Sequence, residues 1–230
     1  MLEQELQLEK NLFFHLNGSE SVMLDHFFWL YSYKWTWIPL YICFFIIFIY
    51  KKNWKEIAIV LLAVALVILL CDQISSGFFK PFFQRFRPTH HPDFSEQVET
   101  VFGYRGGRYG FISSHAANAF GFATFTALIF RNTLFTTTIV FFALINAYSR
   151  IYLGVHFISD VVVGSLVGIA AGYTVYLLYQ YGRAHLLKVD KNKLRVSIYS
   201  LKQAYFLCIA YFFITTSLFV FNNQLVNILN

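Results

Sequence analysis

His156 and Asp160 stand four positions apart. On a helix that spacing puts both side chains on one face. The carboxylate can then accept from one imidazole nitrogen, fix the tautomer and leave the other nitrogen free to attack. A second imidazole, His115, follows Ser113 and Ser114 and is placed to protonate a leaving oxygen. A helix starting there also offers free backbone amides to an anion, so Ser113 and Ser114 join the expected phosphate site. Lys80, Arg87 and Arg150 add three cations with few carboxylates to neutralise them. Guanidinium groups grip phosphate oxygens in bidentate fashion, and a lysine adds a point charge. Phosphate-binding cations, an oriented nucleophile and an acid make a phosphoryl-transfer site. The scheme calls for no metal and no cofactor.

Each cluster alone has an ordinary explanation. Basic residues at the end of an apolar run snorkel to headgroups, and Ser-Ser-His suits the start of any helix. Their joint presence favours chemistry. Gly103–Gly110 is glycine-rich but lacks the Gly-Lys-Ser/Thr ending of a nucleotide loop, and is read as a mobile flap. Arg105 and Arg108 within it suit contact with a substrate headgroup and plain solvation equally well. His90, His91 and Asp93 can be drawn as a metal site, but adjacent loop histidines are more often simply exposed, and no metal site is assigned. Asp72 lies inside an apolar run and needs a partner, which the sequence does not name.

The surrounding elements must be membrane helices. Of the 230 residues 57% are hydrophobic and only 13% charged, against about a quarter charged in soluble domains. The formal charge of +6 is not gathered on a polar domain, which argues against nucleic acid. Six apolar segments, 35–50, 54–79, 116–130, 134–148, 157–181 and 204–221, predict an all-α polytopic bundle of about six transmembrane helices. Residues 1–230 read as a single integral-membrane domain. Within it, 1–26 is read as a surface helix and 80–112 as an outer active-site loop. Trp29, Trp35, Trp37 and Trp54 lie at or near the ends of the first two spans, as interfacial anchors do. The acidic start, with Glu3, Glu5 and Glu9, is unlike a cleavable signal peptide. Cys43, Cys71 and Cys208 sit in apolar runs and read as small hydrophobes.

Loop charge gives an orientation. Lys51, Lys52 and Lys55, then Arg131, then the run from Arg183 to Lys202, fall in the three connections that carry no catalytic motif. The positive-inside tendency puts these in the cytoplasm, and the site, with both termini, outside.

In these blocks the chain resembles the type-2 phosphatidic acid phosphatase family, whose signature is K-x6-RP, PSGH and SR-x5-H-x3-D. Lys80 to Pro88 matches the first block, and Ser149 to Asp160 the third. The middle block departs, with Ile112 in place of Pro and Ser114 in place of Gly, while Ser113 and His115 agree. The resemblance implies that His156 is phosphorylated, Asp160 supports it and His115 protonates the leaving group. It implies that Lys80, Arg87, Arg150 and Ser113 hold the phosphate. It implies a lipid phosphate substrate in a bacterial inner membrane, with polyprenyl diphosphate, phosphatidylglycerol phosphate, phosphatidic acid and lipid A as candidates. A lipid phosphotransferase would use the same residues. A transporter would place polar groups nearer the membrane midplane, and vanadate haloperoxidases, which share the motifs, are soluble.

Overall fold

The computed structural model describes residues 2–229. In chain order the helices are α1 (Leu2–Leu16), α2 (Val22–Ser32), α3 (Ile38–Ile49), α4 (Trp54–Asp72), α5 (Lys80–Phe83), α6 (Ser114–Phe130), α7 (Thr133–Tyr152), α8 (Ile158–His185), α9 (Lys191–Leu194), α10 (Leu201–Val220) and α11 (Asn222–Leu229). No named strand occurs among the described residues; Phe86 and Tyr109 form an isolated antiparallel bridge. Polar caps start the long helices. Asn53 accepts from Lys55 N at 2.9 Å, Asn132 from Phe135 N at 2.9 Å, and Ser200 from Gln203 N at 3.3 Å. Each satisfies an amide that the helix leaves without a partner.

The expected six segments all form helices, with two changes. Four runs are long and apolar enough to cross a membrane: Trp54–Phe83, Thr133–Tyr152, Ile158–His185 and Leu201–Val220. A fifth arises if Val22–Ser32 and Lys34–Ile49 count together, bent by 69° at Tyr33. The region expected as one surface helix over 1–26 holds α1 and the start of α2. The sixth segment, α6, has 17 residues, short for a span of its own. It is packed among α4, α7 and α8 rather than facing lipid over its length.

The second expected span also runs on. After Asp72 the backbone continues as a π-helical turn, Gln73–Phe79, and then α5, so one continuous helical run ends at Phe83. Such wide turns re-aim the side chains that follow them. Here the turn carries Ser75, Ser76 and Lys80 toward the start of α6.

The closest helix pair is α6 with α8. A Cβ at Gly164 would lie 2.6 Å from Ser113 O, at Gly168 2.3 Å from Ala117 O, and at Gly172 2.4 Å from Gly121 O. With nothing larger than hydrogen at these three positions the two backbones touch, as small residues permit between membrane helices. The contact runs from Ser113 toward the middle of the bundle.

The ends of the bundle differ in content. At one end lie α1, the 84–112 segment, the start of α6, the end of α7 and the start of α8. There α1 reaches Arg85 and Ser159, and α11 reaches α2 through His26 Nδ1 and Asn223 Oδ1 at 2.7 Å. At the other end Tyr199 stacks on Phe130, with centroids 4.5 Å apart, Lys52 donates to Ile198 O, and Arg131 donates to Arg195 O at 2.6 Å. The basic connections named above therefore gather at the end opposite His156.

Candidate functional site

Three backbone junctions build the site. Asp160, in the first turn of α8, accepts from Phe157 N at 3.0 Å through Oδ2, capping its own helix. The same oxygen lies 3.3 Å from His156 Nδ1, and Oδ1 accepts from Arg85 Nη1 at 2.9 Å. Asp160 is wholly buried and His156 only 1% exposed. The imidazole is thus oriented from its Nδ1 side, and Nε2 lies 2.9 Å from Arg87 Nη1. Burial first, and then the charges of Arg87, Arg150 and Lys80, hold His156 well below the usual imidazole value. The ring is neutral near pH 7 and Nε2 keeps its lone pair.

Ser113 caps α6 by accepting from Ala116 N at 3.4 Å, and its own N–H donates to Asp160 O at 3.0 Å. This bond ties the start of α6 to the start of α8 and sets Ser113, Ser114 and His115 beside His156 and Asp160. Two helix N-termini converge there, each favouring an anion. Ser114 accepts from Lys80 Nζ at 2.6 Å and from Ser75 Oγ at 2.8 Å, and lies 3.0 Å from Ser76 Oγ. The hydroxyl that departs from the family pattern is therefore a seat for the lysine ammonium. Asp72 gains the partner that the sequence did not name: its Oδ1 accepts from Ser76 Oγ at 3.5 Å.

The two arginines are fixed but not saturated. Arg87 donates through Nη1 to Val155 O at 2.9 Å, and burial together with Arg150 lowers its pKa to about 10, still fully cationic at neutrality. Arg150, 3% exposed, donates to Ser32 Oγ and to Tyr104 OH, the latter at 3.2 Å. Burial alone would raise the Tyr104 phenol, but the Arg150 charge and hydrogen bond, with Arg87, bring it below its usual value. The Nε atoms of Arg87 and Arg150 are buried with no hydrogen-bond partner. A buried donor left bare costs about 1–3 kcal/mol, and three cations close together repel. An anion with several oxygens relieves both penalties at once.

The 103–110 segment is fastened rather than loose. Arg87 N donates to Arg108 O at 3.1 Å, Gly110 N to Arg85 O at 2.9 Å, and Thr89 Oγ1 to Arg105 O at 2.8 Å. Gly106, at φ +67°, lies against the Arg87 guanidinium, where a Cβ would be 3.3 Å from its Cζ. Arg105 and Arg108 are exposed, with Arg108 over the Phe86 ring at 5.1 Å. His91 stacks on Phe94 at 4.0 Å with its Nδ1 3.7 Å from Asp93, and no three metal-ligating side chains converge among the described residues.

A cavity of about 680 Å³ leads away from His115. Ser32, Lys34, Asp72, Ser114, Asn118 and Asn146 are its polar lining, and Phe44, Phe48, Leu61, Val64 and Phe122 are among its apolar lining. Such a lining takes a molecule with a polar head and an apolar chain.

Sequence reasoning missed Tyr104, Arg85, Ser75 and Glu9. Arg85 lay inside the first signature block and Tyr104 inside the glycine-rich segment, so both carried a signal. Glu9 carried none.

Among known proteins, the sequence model of the PAP2 superfamily matches residues 56–184. A lipid A 4'-phosphatase of Porphyromonas gingivalis is 52% identical over 186 residues, which cover 81% of this chain and 79% of that protein. A lipid A 4'-phosphatase of Bacteroides thetaiotaomicron is 34% identical over 179 residues, covering 77% and 80%. The crystal structure of Aquifex aeolicus LpxE superimposes with a TM-score of 0.57 at 28% identity, over 73% of this chain and 94% of that one.

Proposed function

The chain belongs to the PAP2 superfamily, and from that premise we propose that it hydrolyses the 4'-phosphate monoester of lipid A through a phosphohistidine. It is a multi-pass membrane lipid phosphatase; the substrate, the residue roles and the sidedness are the proposal. The observation that carries it is the pair of buried, partnerless Nε donors on Arg87 and Arg150, set around a neutral, oriented imidazole.

Arg87, Arg150, Lys80 and the amides near Ser113 and Ser114 take the phosphoryl oxygens. Arg87 Nη1, 2.9 Å from His156 Nε2, brings phosphorus toward the attacking nitrogen. Nε2 forms the N–P bond as the ester P–O bond breaks. His115, which the Arg150 charge and burial hold below the usual imidazole value before substrate binds, takes up a proton alongside the bound phosphate dianion and gives it to the departing sugar oxygen. Asp160 accepts from Nδ1–H and stabilises the positive charge that develops on the ring. Water then attacks phosphorus. His115 removes its proton, the N–P bond breaks, and inorganic phosphate leaves with His156 regenerated. The apolar lining of the cavity holds part of an acyl chain, and Arg105 and Arg108 contact the headgroup.

The site faces the periplasm of an inner membrane, because the basic connections lie at the opposite end of the bundle. The lipid must then reach the outer leaflet before it is dephosphorylated.

The test is phosphate release from lipid A, phosphatidic acid, phosphatidylglycerol phosphate and a polyprenyl diphosphate, in detergent with chelator present. Lipid A is expected to give the highest kcat/KM, vanadate to inhibit as a five-coordinate analogue, and quenched enzyme to carry acid-labile phosphate on His156. A preference of about tenfold or more for the diphosphate would overturn the substrate. Loss of activity in chelator that zinc restores would overturn the mechanism.

A further inference from the structure

Glu9 lies on α1, outside every signature block, and yet it ends a continuous chain of contacts that begins at the imidazole. His156 Nδ1 faces Asp160 Oδ2 at 3.3 Å, Asp160 Oδ1 accepts from Arg85 Nη1 at 2.9 Å, and Arg85 Nη2 donates to Glu9 Oε2 at 2.7 Å. The other Glu9 oxygen accepts from Ser159 N at 2.9 Å, in the first turn of α8. One carboxylate thus holds both the guanidinium and the helix that carries Asp160. Packing fixes the arrangement. Phe13 of α1 is fully buried with its ring 5.4 Å from that of Phe157, and Arg85 Cζ lies 4.4 Å from the same ring on the residue next to His156.

From this array we infer that Glu9 is a positioning residue for the phosphoryl transfer, acting through Arg85 and Ser159 to keep Asp160 aligned with His156. The inference rests on the phosphatase reading of the site. The electrostatics can be counted. Asp160 alone with Arg85 makes a neutral pair, and its negative charge is drawn toward the guanidinium and away from the ring. Adding Glu9 leaves one net negative charge behind the imidazole, where positive charge grows as Nε2 bonds to phosphorus. Glu9 shares Arg85, so less of the guanidinium's attraction pulls the Asp160 carboxylate away from Nδ1–H. Partners of this outer kind commonly change activity by about 10–100-fold when removed. Burial opposes ionisation of Glu9, but its bonds from Ser159 and Arg85 outweigh that and hold the carboxyl below its ordinary value, so the charge is present at neutral pH. A helix that merely covered the site would need an apolar side chain at this position, not an anion reaching two donors.

The experiment is a double-mutant cycle on the full-length protein in detergent, with lipid A as probe. Glu9→Gln keeps size and polarity but removes charge. It is expected to lower kcat about tenfold with KM within about twofold, and Glu9→Asp, which keeps the charge, to retain at least half of the parental kcat. In an Arg85→Gln background the Glu9→Gln change is expected to shift kcat by less than about twofold, because the link is already broken. An unchanged kcat in Glu9→Gln would overturn the inference. So would equal losses in both backgrounds, or a rise in KM at constant kcat, either of which would make α1 only a cover. If Glu9→Gln fails to fold, Arg85→Gln alone decides between the same alternatives: it is expected to lower kcat about tenfold at near-parental KM, and a kcat within about twofold of the parent overturns the inference. Parental phosphate release that His156→Gln abolishes shows separately that the phosphatase reading stands, whatever Glu9 does.

Discussion

The two ends of the bundle use the same cations to different purposes. At the end away from His156, Arg183 Nε lies 2.9 Å from Glu56 Oε1, an ion pair although poorly angled for a hydrogen bond. Tyr179 donates to the same carboxylate at 2.8 Å, and Arg131 spends its donors on Arg195 O and Tyr176 OH. These cations are answered by protein. At the other end Arg87 and Arg150 are as deeply buried, yet each leaves Nε bare, and neither has a carboxylate as direct hydrogen-bond partner. Burying charge without a partner costs several kcal/mol. An arginine paired with a carboxylate is therefore a fastener, even where its Nε makes no hydrogen bond, as in Arg183, and a buried one without a carboxylate is a binding site held at the expense of stability.

Substitutions can break that comparison. The largest effect is expected at the nucleophile. His156→Gln, chosen to fill the buried volume, should lower kcat by about 10³-fold or more while the detergent melting temperature is retained. Activity within about tenfold of the parent would remove the covalent route. Next come the buried arginines without a carboxylate. Arg87→Lys and Arg150→Lys should each lower kcat/KM about 100-fold, since a point charge cannot replace a planar fork, with melting temperature unchanged or raised. Arg183→Met should reverse the pattern. It leaves the partly buried Glu56 with the Tyr179 hydroxyl but no cation, destabilising by about 1–3 kcal/mol, while folded protein keeps kcat within about threefold. Equal activity losses at both ends would dissolve the distinction between fastener and site.

The smallest effect sharpens the comparison through pH. His156 is a base whose proton affinity is depressed in the fold, against an ordinary value of 6.5. Its neutral form is favoured by the folded state, so the stability it contributes is present above pH 6.5 and declines as pH falls below it. The acid limb of kcat/KM is accordingly expected below pH 6.5, read from a pH–rate profile. A limb above 6.5 would mean that the site's cations are not close enough to act on the ring.

Much of the chemistry was legible because it depends on spacing. Three residues separate His156 from Asp160, and although His156 precedes α8, whose N-cap is Phe157, that spacing still brings ring and carboxylate together. The order of Lys80, Arg87, Ser113, His115 and Arg150 places them at successive ends of apolar runs. Burial was not legible. Nothing in the sequence says that His156 is sealed from solvent or that Ser114 seats Lys80, because both depend on the π-helical turn at Gln73–Phe79 and on helix contacts across the bundle. The glycine-rich segment looked mobile by composition, but long-range backbone bonds from Arg87 and Gly110 tie it down. Glu9 was invisible for the same reason, its partners lying 76 and 150 positions away.

The glycines of α8 bear on how such an enzyme can change. Because Gly164, Gly168 and Gly172 let α6 and α8 meet backbone to backbone, no rotamer can absorb an error between the strip that holds His115 and the strip that holds Asp160. That spacing is in effect a ruler with no adjustment screw. Selection for a new lipid is therefore expected to draw its successful changes from the walls supplied by Phe44, Leu61 and Val64, where side chains can trade volume freely. The glycine row should come through such selection untouched, so that one catalytic frame serves many shapes of lipid.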